Sequence, residues 1–284
     1  METRHSYGFL VISSAGIILN TLQITMILRE RDRRHPFKIS ILSLAIADLL
    51  ICLGCAVFSS FNLVGDPELQ PYLSFIYVTV APVSVTCSSL HLIFITLQRL
   101  IAVRFPLSCS RIMTTKRCVL VLLMIWAIST TPIPFPGKLK YLMGAATLIC
   151  GVVLAVAYSF IGYLLTKRGN IASSAAQSSQ NTYVLAYAIT LTSVFIFCTF
   201  PLSFEIITKI GKRNTSNSNR GVVAMTFLYW LNPLMDPIVY VLLKFFKRGI
   251  NKCSRKQGRM VAFSENDRKF KCQSSEGVTI CSKV

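Results

Sequence analysis

Charged side chains are scarce in this sequence of 284 residues. Asp, Glu, Lys and Arg make up 14% of it, whereas soluble domains carry roughly 25%. Acidic residues are the scarcest class, with 11 Asp and Glu against 30 Lys and Arg, and hydrophobic residues reach 53%. A disordered chain needs the opposite balance, and an ordinary water-soluble globule needs more charge. The composition therefore predicts a membrane protein.

The sequence also lacks the patterns that catalytic and metal sites use. Its three histidines, His5, His35 and His91, are far apart, and it contains no metal-ligand spacing, phosphate-binding loop or nucleophile elbow. The two halves of the chain show no internal repeat of the kind that relates the halves of many transporters. We therefore do not expect an enzyme, and the transporter class has little support.

Seven stretches are long and apolar enough to cross a membrane. Each has the roughly 20 residues that a helix needs to span the hydrocarbon layer, and each must be helical because backbone groups cannot stay unpaired in lipid. The stretches are residues 8–28, 39–64, 69–98, 118–137, 141–166, 182–204 and 221–243, with Asp48 and Asp236 as their only charges. The sequence predicts an all-α membrane protein, a seven-transmembrane helix bundle.

The basic residues set the orientation of these spans. Most of them fall in connections that lie inside the cell if the N-terminus is outside, as the positive-inside rule favours. The net charge of +19 then reflects topology and an attraction to anionic membrane lipids, with no soluble basic domain to bind nucleic acid. We predict four segments: 1–7 outside, 8–243 the seven-helix domain, 244–253 a short amphipathic eighth helix, and 254–284 a disordered cytoplasmic tail.

Two positions invite covalent modification, whereas a disulfide is not expected. None of the ten cysteines falls in a predicted outer loop. Cys253 follows basic and aromatic residues just inside the last span, which favours S-palmitoylation of a surface helix; the alternative is a free cytosolic thiol. Asn214 begins the one glycosylation sequon, in the last outer loop, and a bare sequon is a weak signal of occupancy.

Two carboxylates inside the spans are the most informative polar residues. Charged groups in a membrane interior are costly and usually functional. Asp48 and Asp236 cannot both stay charged in a buried site without a proton, a cation or strong hydrogen-bond donors. Interhelical hydrogen bonding explains scattered Asn and Ser residues such as Asn20 and Ser88, but it does not explain two aspartates.

The spans carry one set of recurring residues each, in a fixed order. The sets are Gly16-x-x-x-Asn20, Leu44-Ala45-x-Ala47-Asp48, Arg99 with Ala102-Val103 and Pro106-Leu107, Trp126, Tyr158-x-x-Ile161, Cys198-x-x-Pro201 and Asp236-Pro237-x-x-Tyr240. Together they resemble the landmarks of rhodopsin-like (class A) G protein-coupled receptors. The likeness extends from about residue 8 to residue 253, and Phe246 fits the start of the family's membrane-lying eighth helix.

The resemblance implies a receptor that binds an extracellular or membrane-borne ligand at the plasma membrane and activates heterotrimeric G proteins. It implies a pocket in which oxygen ligands bind an allosteric sodium ion, and no other cofactor. The residues of that pocket are Asn20, Asp48, Ser88, Asn232 and Asp236. The residues implied in coupling and activation are Gln98, Arg99, Tyr158, Phe195, Pro201, Pro237 and Tyr240.

Several positions depart from the family's pattern. Gln98 replaces the acidic residue before Arg99, Thr199 the tryptophan of the sixth span, Cys150 the proline of the fifth, and Ser74 the disulfide cysteine. These departures leave a non-signalling decoy or atypical seven-helix receptor as the alternative function. Melanocortin receptors share the absence of that cysteine and of that proline, so the chain is partly similar to them.

Gln98 also affects the resting state that the resemblance implies. A carboxylate beside the arginine holds it inward in the family's off state. Here we expect neutral amides to accept from Arg99, namely Gln98 and the inner-end residues Gln180 and Asn181. Because a neutral hydrogen bond is weaker than a charge-assisted one, we expect signalling without ligand.

The ligand pocket is expected between the outer halves of the third, fifth, sixth and seventh spans. Ala81 stands where amine receptors keep an aspartate, so a biogenic amine is disfavoured. Glu205 would pair with a cationic ligand, or it is a solvated helix end beside Lys209. The predicted lining is otherwise apolar and favours an apolar small molecule or a lipid-like ligand. The candidate residues are Ala81, Val85, Thr199, Phe200, Glu205, Tyr229 and Trp230.

Overall fold

The computed structural model describes residues 3–30, 35–64, 68, 70–130, 136–169, 175–208 and 225–245. Within these ranges the chain forms eight helices and no strand, which confirms the all-α prediction. The helices are α1 (Thr3–Leu28), α2 (Pro36–Val64), α3 (Gln70–Arg104), α4 (Cys109–Ile112), α5 (Thr115–Thr130), α6 (Pro136–Gly169), α7 (Ala175–Thr208) and α8 (Met225–Phe245). The seven predicted spans correspond to α1, α2, α3, α5, α6, α7 and α8, and α4 is a single turn between the third and fourth spans.

Five of the helices contain a described stretch that is long and apolar enough to cross a membrane. These stretches are Ser6–Leu28, Pro36–Val64, Thr86–Arg104, Ala145–Leu164 and Met225–Phe245. Helix α7 adds a shorter apolar stretch, Ala188–Pro201, and α5 is described over 16 residues. Helix α1 begins at Thr3, five residues before the predicted span, because a helix continues through polar residues that a search for apolar runs leaves out.

The distribution of side chains is that of a protein surrounded by lipid. Large apolar side chains such as Ile18, Leu50, Val152 and Val156 are exposed on the outside of the helices. Polar side chains fill much of the interior, where Asn20, Ser40, Asp48 and His91 are fully buried. Because exposing apolar area to water costs about 25 cal/mol per Å², this arrangement is stable only in hydrocarbon.

Helix α3 lies at the centre of the described helices and contacts α2, α5, α6 and α7. Helix α1 packs along α2, and the approach is close at Gly16, where a Cβ atom would collide with Sγ of Cys52. Helix α8 packs on α1, and the rings of Phe9 and Phe227 stack with centroids 4.4 Å apart. Helices α1, α2, α3 and α8 therefore surround the predicted polar site.

A buried polar chain ties α2, α3 and α5 together. Oγ of Ser43 lies 2.8 Å from Nε2 of His91, and Nε1 of Trp126 donates to the same Oγ over 3.1 Å. The other ring nitrogen of His91 lies 2.7 Å from the carbonyl oxygen of Cys87. With Nδ1 protonated, His91 donates to Cys87 and accepts from Ser43. The polar side-chain atoms of Ser43, His91 and Trp126 are then all hydrogen-bonded. His91 is thus a packing residue that joins α2, α3 and α5.

Some predictions fall outside the described residues. These are the sequon at Asn214, Phe246, the palmitoylation site at Cys253, most of the amphipathic segment 244–253 and the tail 254–284. The side chains of Ser74, Ala81, Val85, Gln180, Asn181 and Glu205 also lie outside the described part, although their helices are placed.

Candidate functional site

The carboxyl groups of Asp48 and Asp236 meet in the interior. Asp48 lies on α2 and Asp236 on α8, and their side chains are within hydrogen-bonding reach of each other. Both residues are buried, with 0% and 3% of their surface exposed. Ser88 on α3 donates its hydroxyl to Oδ1 of Asp48 over 3.2 Å. The structure thus brings together three of the five residues of the predicted sodium pocket.

Asn20 joins this cluster through a backbone group that proline leaves unpaired. Nδ2 of Asn20 donates to the carbonyl oxygen of Gly16 over 2.9 Å and to that of Pro233 over 2.8 Å. In a regular helix the carbonyl of residue 233 would accept from the amide of residue 237, but Pro237 has no N–H. Asn20 on α1 therefore supplies the hydrogen bond that α8 cannot make for itself.

The cluster holds more oxygen atoms than hydrogen-bond donors. Oδ2 of Asp48, Oδ1 of Asp236, Oδ1 of Asn232 and Oδ1 of Asn20 are buried and have no hydrogen-bond partner among the described residues. Unpaired buried oxygens cost free energy, and unpaired carboxylates cost most. Hard cations prefer ligands of this kind, carboxylate and amide oxygens. This set of oxygen ligands therefore fits a hard cation such as sodium.

At the end of the bundle that is predicted to be cytoplasmic, Arg99 lies against an aromatic ring. Its Cζ lies 3.6 Å from the ring centroid of Phe37, at the start of α2. Its Nε is buried and has no hydrogen-bond partner among the described residues. A guanidinium over a desolvated aromatic face is attracted by the ring quadrupole. Arg99 has no acidic neighbour in the sequence, and in the structure Phe37 contacts it instead.

The expectation that Gln98 accepts from Arg99 is wrong. Nε2 of Gln98 donates to Oγ of Ser40 over 3.0 Å and lies 3.5 Å from Sγ of Cys118, while Oε1 has no partner among the described residues. Successive residues of a helix point in directions about 100° apart. Gln98 therefore faces α2 and α5, and Arg99 points to a different neighbour.

The two tyrosines of the predicted switch have separate partners. The hydroxyl of Tyr158 on α6 lies 3.0 Å from Oγ1 of Thr96 on α3. Tyr240 on α8 donates to Oε1 of Glu30 over 3.1 Å, just beyond the end of α1. The two hydroxyl groups therefore bond to different parts of the chain.

The remaining predicted switch residues lie within α7 and α8. Phe195 is 1% exposed, and Pro201 is a half-buried residue inside α7. Pro237 is buried in α8.

Two cavities meet at Trp230 on the outer side of the carboxylate cluster. The first is lined by Ile51, Ser84, Ser88, Phe195, Thr199, Tyr229, Trp230, Asn232 and Pro233. The second is lined by Ser6, Phe9, Cys55, Phe58, Ser59, Asn62 and Trp230. Three of the candidate ligand residues, Thr199, Tyr229 and Trp230, thus line the first cavity, which also reaches Ser88 and Asn232 of the predicted sodium pocket.

One predicted ligand residue lies elsewhere, and a group on α1 and α2 was missed. Phe200 is 45% exposed and stacks on Phe204 along the outer surface of α7, because it follows Thr199 by 100° around the helix. The second cavity uses α2 residues that the sequence analysis did not consider. The sequence does contain a pattern that indicates this face of α2. Polar and small residues recur at spacings of four and three: Asp48, Cys52, Cys55, Ser59 and Asn62.

Known proteins with similar sequences are seven-transmembrane receptors. Residues 19–137 match the model of the family "7 transmembrane receptor (rhodopsin family)". Melanocortin receptor 5 of Sus scrofa is 23% identical over 259 residues, which cover 82% of this chain and 86% of the relative.

Two further relatives match a shorter part of the chain. Cholecystokinin receptor type A of Oryctolagus cuniculus is 36% identical over 129 residues (44% of this chain, 30% of the relative). The 5-hydroxytryptamine receptor 1E of Homo sapiens is 32% identical over 120 residues (42% and 33%). These two matches span about a third of the relatives' lengths.

The family match agrees with the predicted seven-helix fold and with the multi-pass membrane location. The helices, the buried aspartates and the order of the landmark residues agree with it. On these matches the chain is similar to the rhodopsin family of seven-transmembrane receptors.

Proposed function

We propose that the chain binds a ligand from the outer side of the plasma membrane and activates heterotrimeric G proteins at its cytoplasmic end. This proposal is based on one observation: two residues belong both to the first cavity and to the predicted sodium pocket. Ser88 and Asn232 line the first cavity, and Ser88 also donates to Asp48. A ligand that displaces either side chain therefore changes the oxygen set around the two carboxylates.

The lining of the two cavities favours an apolar small molecule or a lipid-like ligand. Aromatic and aliphatic side chains dominate the first cavity, and the rings of Phe9, Phe58 and Trp230 border the second. Among the second cavity's polar groups, Nδ2 of Asn62 is buried and has no partner among the described residues. That donor suits a ligand with one hydrogen-bond acceptor, such as a carbonyl, at the end of a flat apolar body.

We further propose that a sodium ion binds at the carboxylate cluster and stabilises the resting state. Asp48 and Asp236 would supply the charge, and Ser88, Asn20 and Asn232 would supply neutral oxygens. A bound cation would offset the repulsion between the two carboxylates and would fix α2, α3 and α8 against one another. Loss of the ion would then free α8 to move.

The test is a G-protein dissociation assay in transfected cells without added ligand, with Arg99→Ala as the control. The wild-type chain should dissociate the G protein above the level of empty vector, and Arg99→Ala should abolish the excess at matched surface expression. A wild-type signal equal to that of empty vector for every G-protein class would favour the alternative of a non-signalling receptor.

A further inference from the structure

Residues at the end of α1 and in the first turn of α2 contact both Tyr240 and Arg99. Glu30, just after α1, accepts from the hydroxyl of Tyr240 over 3.1 Å and forms an ion pair with Lys38 in the first turn of α2. The side chains of Lys38 and Glu30 are only 21% and 22% exposed. Because such a pair is partly shielded from water, salt screens it less than a fully exposed pair.

Phe37, next to Lys38, contacts Arg99. Phe37 is 8% exposed, and its ring lies against the guanidinium of Arg99. The backbone N–H of Phe37 lies 3.4 Å from Nδ1 of His35. Adjacent residues in one helical turn therefore contact Arg99 directly and Tyr240 through Glu30.

We propose that Glu30, Phe37 and Lys38 form an autoinhibitory clasp that holds Arg99 and Tyr240 in their resting positions. This inference rests on the proposed function, because it assigns those two residues to coupling. The clasp provides part of the restraint that an acidic neighbour of Arg99 would provide, a neighbour that this chain replaces with Gln98, so some signalling without ligand is still expected. Since Phe37 and Lys38 share one turn, movement of that turn releases both groups together.

If the clasp exists, substitutions of its residues should increase the mobility of both α2 and α8. Glu30→Gln removes the ion pair with Lys38 and weakens the acceptor of Tyr240. Lys38→Met removes the ion pair between Lys38 and Glu30, so Glu30 is held less firmly against Tyr240. Phe37→Leu keeps an apolar side chain but removes the aromatic face under Arg99. Lys116→Met, at an exposed position on the first turn of α5, removes the same charge at the same end of the protein and is the matched control.

The experiment measures two quantities on the purified full-length chain in phosphatidylcholine nanodiscs. The first is hydrogen–deuterium exchange of backbone amides in residues 37–42 of α2 and 236–240 of α8. The second is ligand-independent nucleotide exchange on a purified G protein. Glu30→Gln and Lys38→Met should speed amide exchange in both segments by roughly five-fold, as expected for loss of a contact worth one hydrogen bond. All three clasp variants should raise nucleotide exchange, and Lys116→Met should change neither quantity.

The two readouts separate the clasp from the proposed function. Faster amide exchange in α8 with no nucleotide exchange in any variant would support the clasp and overturn G-protein activation by this chain. Unchanged amide exchange in α8 of Glu30→Gln, at a wild-type melting temperature, would overturn the clasp whatever the signalling result. If Glu30→Gln does not fold, Tyr240→Phe removes only the hydroxyl and must give the faster exchange in α8; wild-type exchange there would equally overturn the clasp.

Discussion

The carboxylate cluster and the cytoplasmic end are both buried and polar, but they are stabilised in opposite ways. Around Asp48 and Asp236, four buried oxygens have no partner among the described residues. At the cytoplasmic end, Tyr240, Glu30 and Lys38 satisfy one another. The oxygens of the first region lack partners that a cation or a proton would supply, whereas in the second region these three side chains bind one another and Nε of Arg99 lacks a partner among the described residues. Sodium concentration should change the stability of the first region. Substitutions at the end of α1 and the start of α2 should affect the second region.

The largest expected effect comes from removing the link between α1 and α8 beside the cluster. Asn20→Ala deletes the donor to Pro233 and leaves a buried carbonyl unpaired, which costs about 1–3 kcal/mol of unfolding free energy. Chemical denaturation of the purified protein measures it. Thr21→Ala, next in the chain and with its hydroxyl bonded only within α1, should change the unfolding free energy by less than about 0.5 kcal/mol. Equal losses in the two variants would contradict the role given to Asn20.

Sodium should stabilise the cluster by a comparable but smaller amount. At ten-fold saturation, mass action gives about 1–2 kcal/mol, because the ion binds the folded state alone. Thermal unfolding in sodium chloride and in choline chloride at equal ionic strength measures the difference. Asp48→Asn removes one of the two charges and should abolish most of it, whereas Glu30→Gln should leave it intact. Identical melting curves in the two salts for the wild-type chain would refute the ion site.

Gln98 should matter for packing between α2, α3 and α5. Gln98→Met keeps the length of the side chain and removes its bonds to Ser40 and Cys118, so unfolding free energy should fall by about 1 kcal/mol. Ser40→Ala should cost a similar amount, and the double variant should cost less than the sum because both substitutions break the same bond. Strictly additive losses in this double-mutant cycle would show that the bond contributes nothing.

The smallest effect is expected on the lipid-facing side of α7. Phe200→Leu keeps an apolar surface in contact with lipid, so stability should change by less than about 0.5 kcal/mol. Thr199→Val, one position earlier, alters a cavity wall and removes a buried hydroxyl bonded to the carbonyl of Phe195. Melting temperatures of the two variants test the contrast. A larger shift for Phe200→Leu than for Thr199→Val would place Phe200 back in the cavity.

Most of the fold and the central site could be predicted from the sequence. Apolar runs reveal spans because lipid imposes helices on them, and two aspartates inside such runs mark a site because an isolated buried charge is too costly. The cytoplasmic contacts could not be predicted in the same way. Gln98 and Arg99 are neighbours in sequence, but helical geometry turns them to different helices. Glu30 and Tyr240 are 210 positions apart, and only the assembled bundle brings them together.

The hydrogen bond from Asn20 to Pro233 has a mechanical consequence. A straight helix resists bending because each bend stretches its own backbone bonds, but at Pro237 that bond is made by a side chain of another helix. Bending of α8 at this point therefore pulls on α1 and spares the backbone of α8. Helix α1 is therefore expected to limit bending of the last span through the side chain of Asn20.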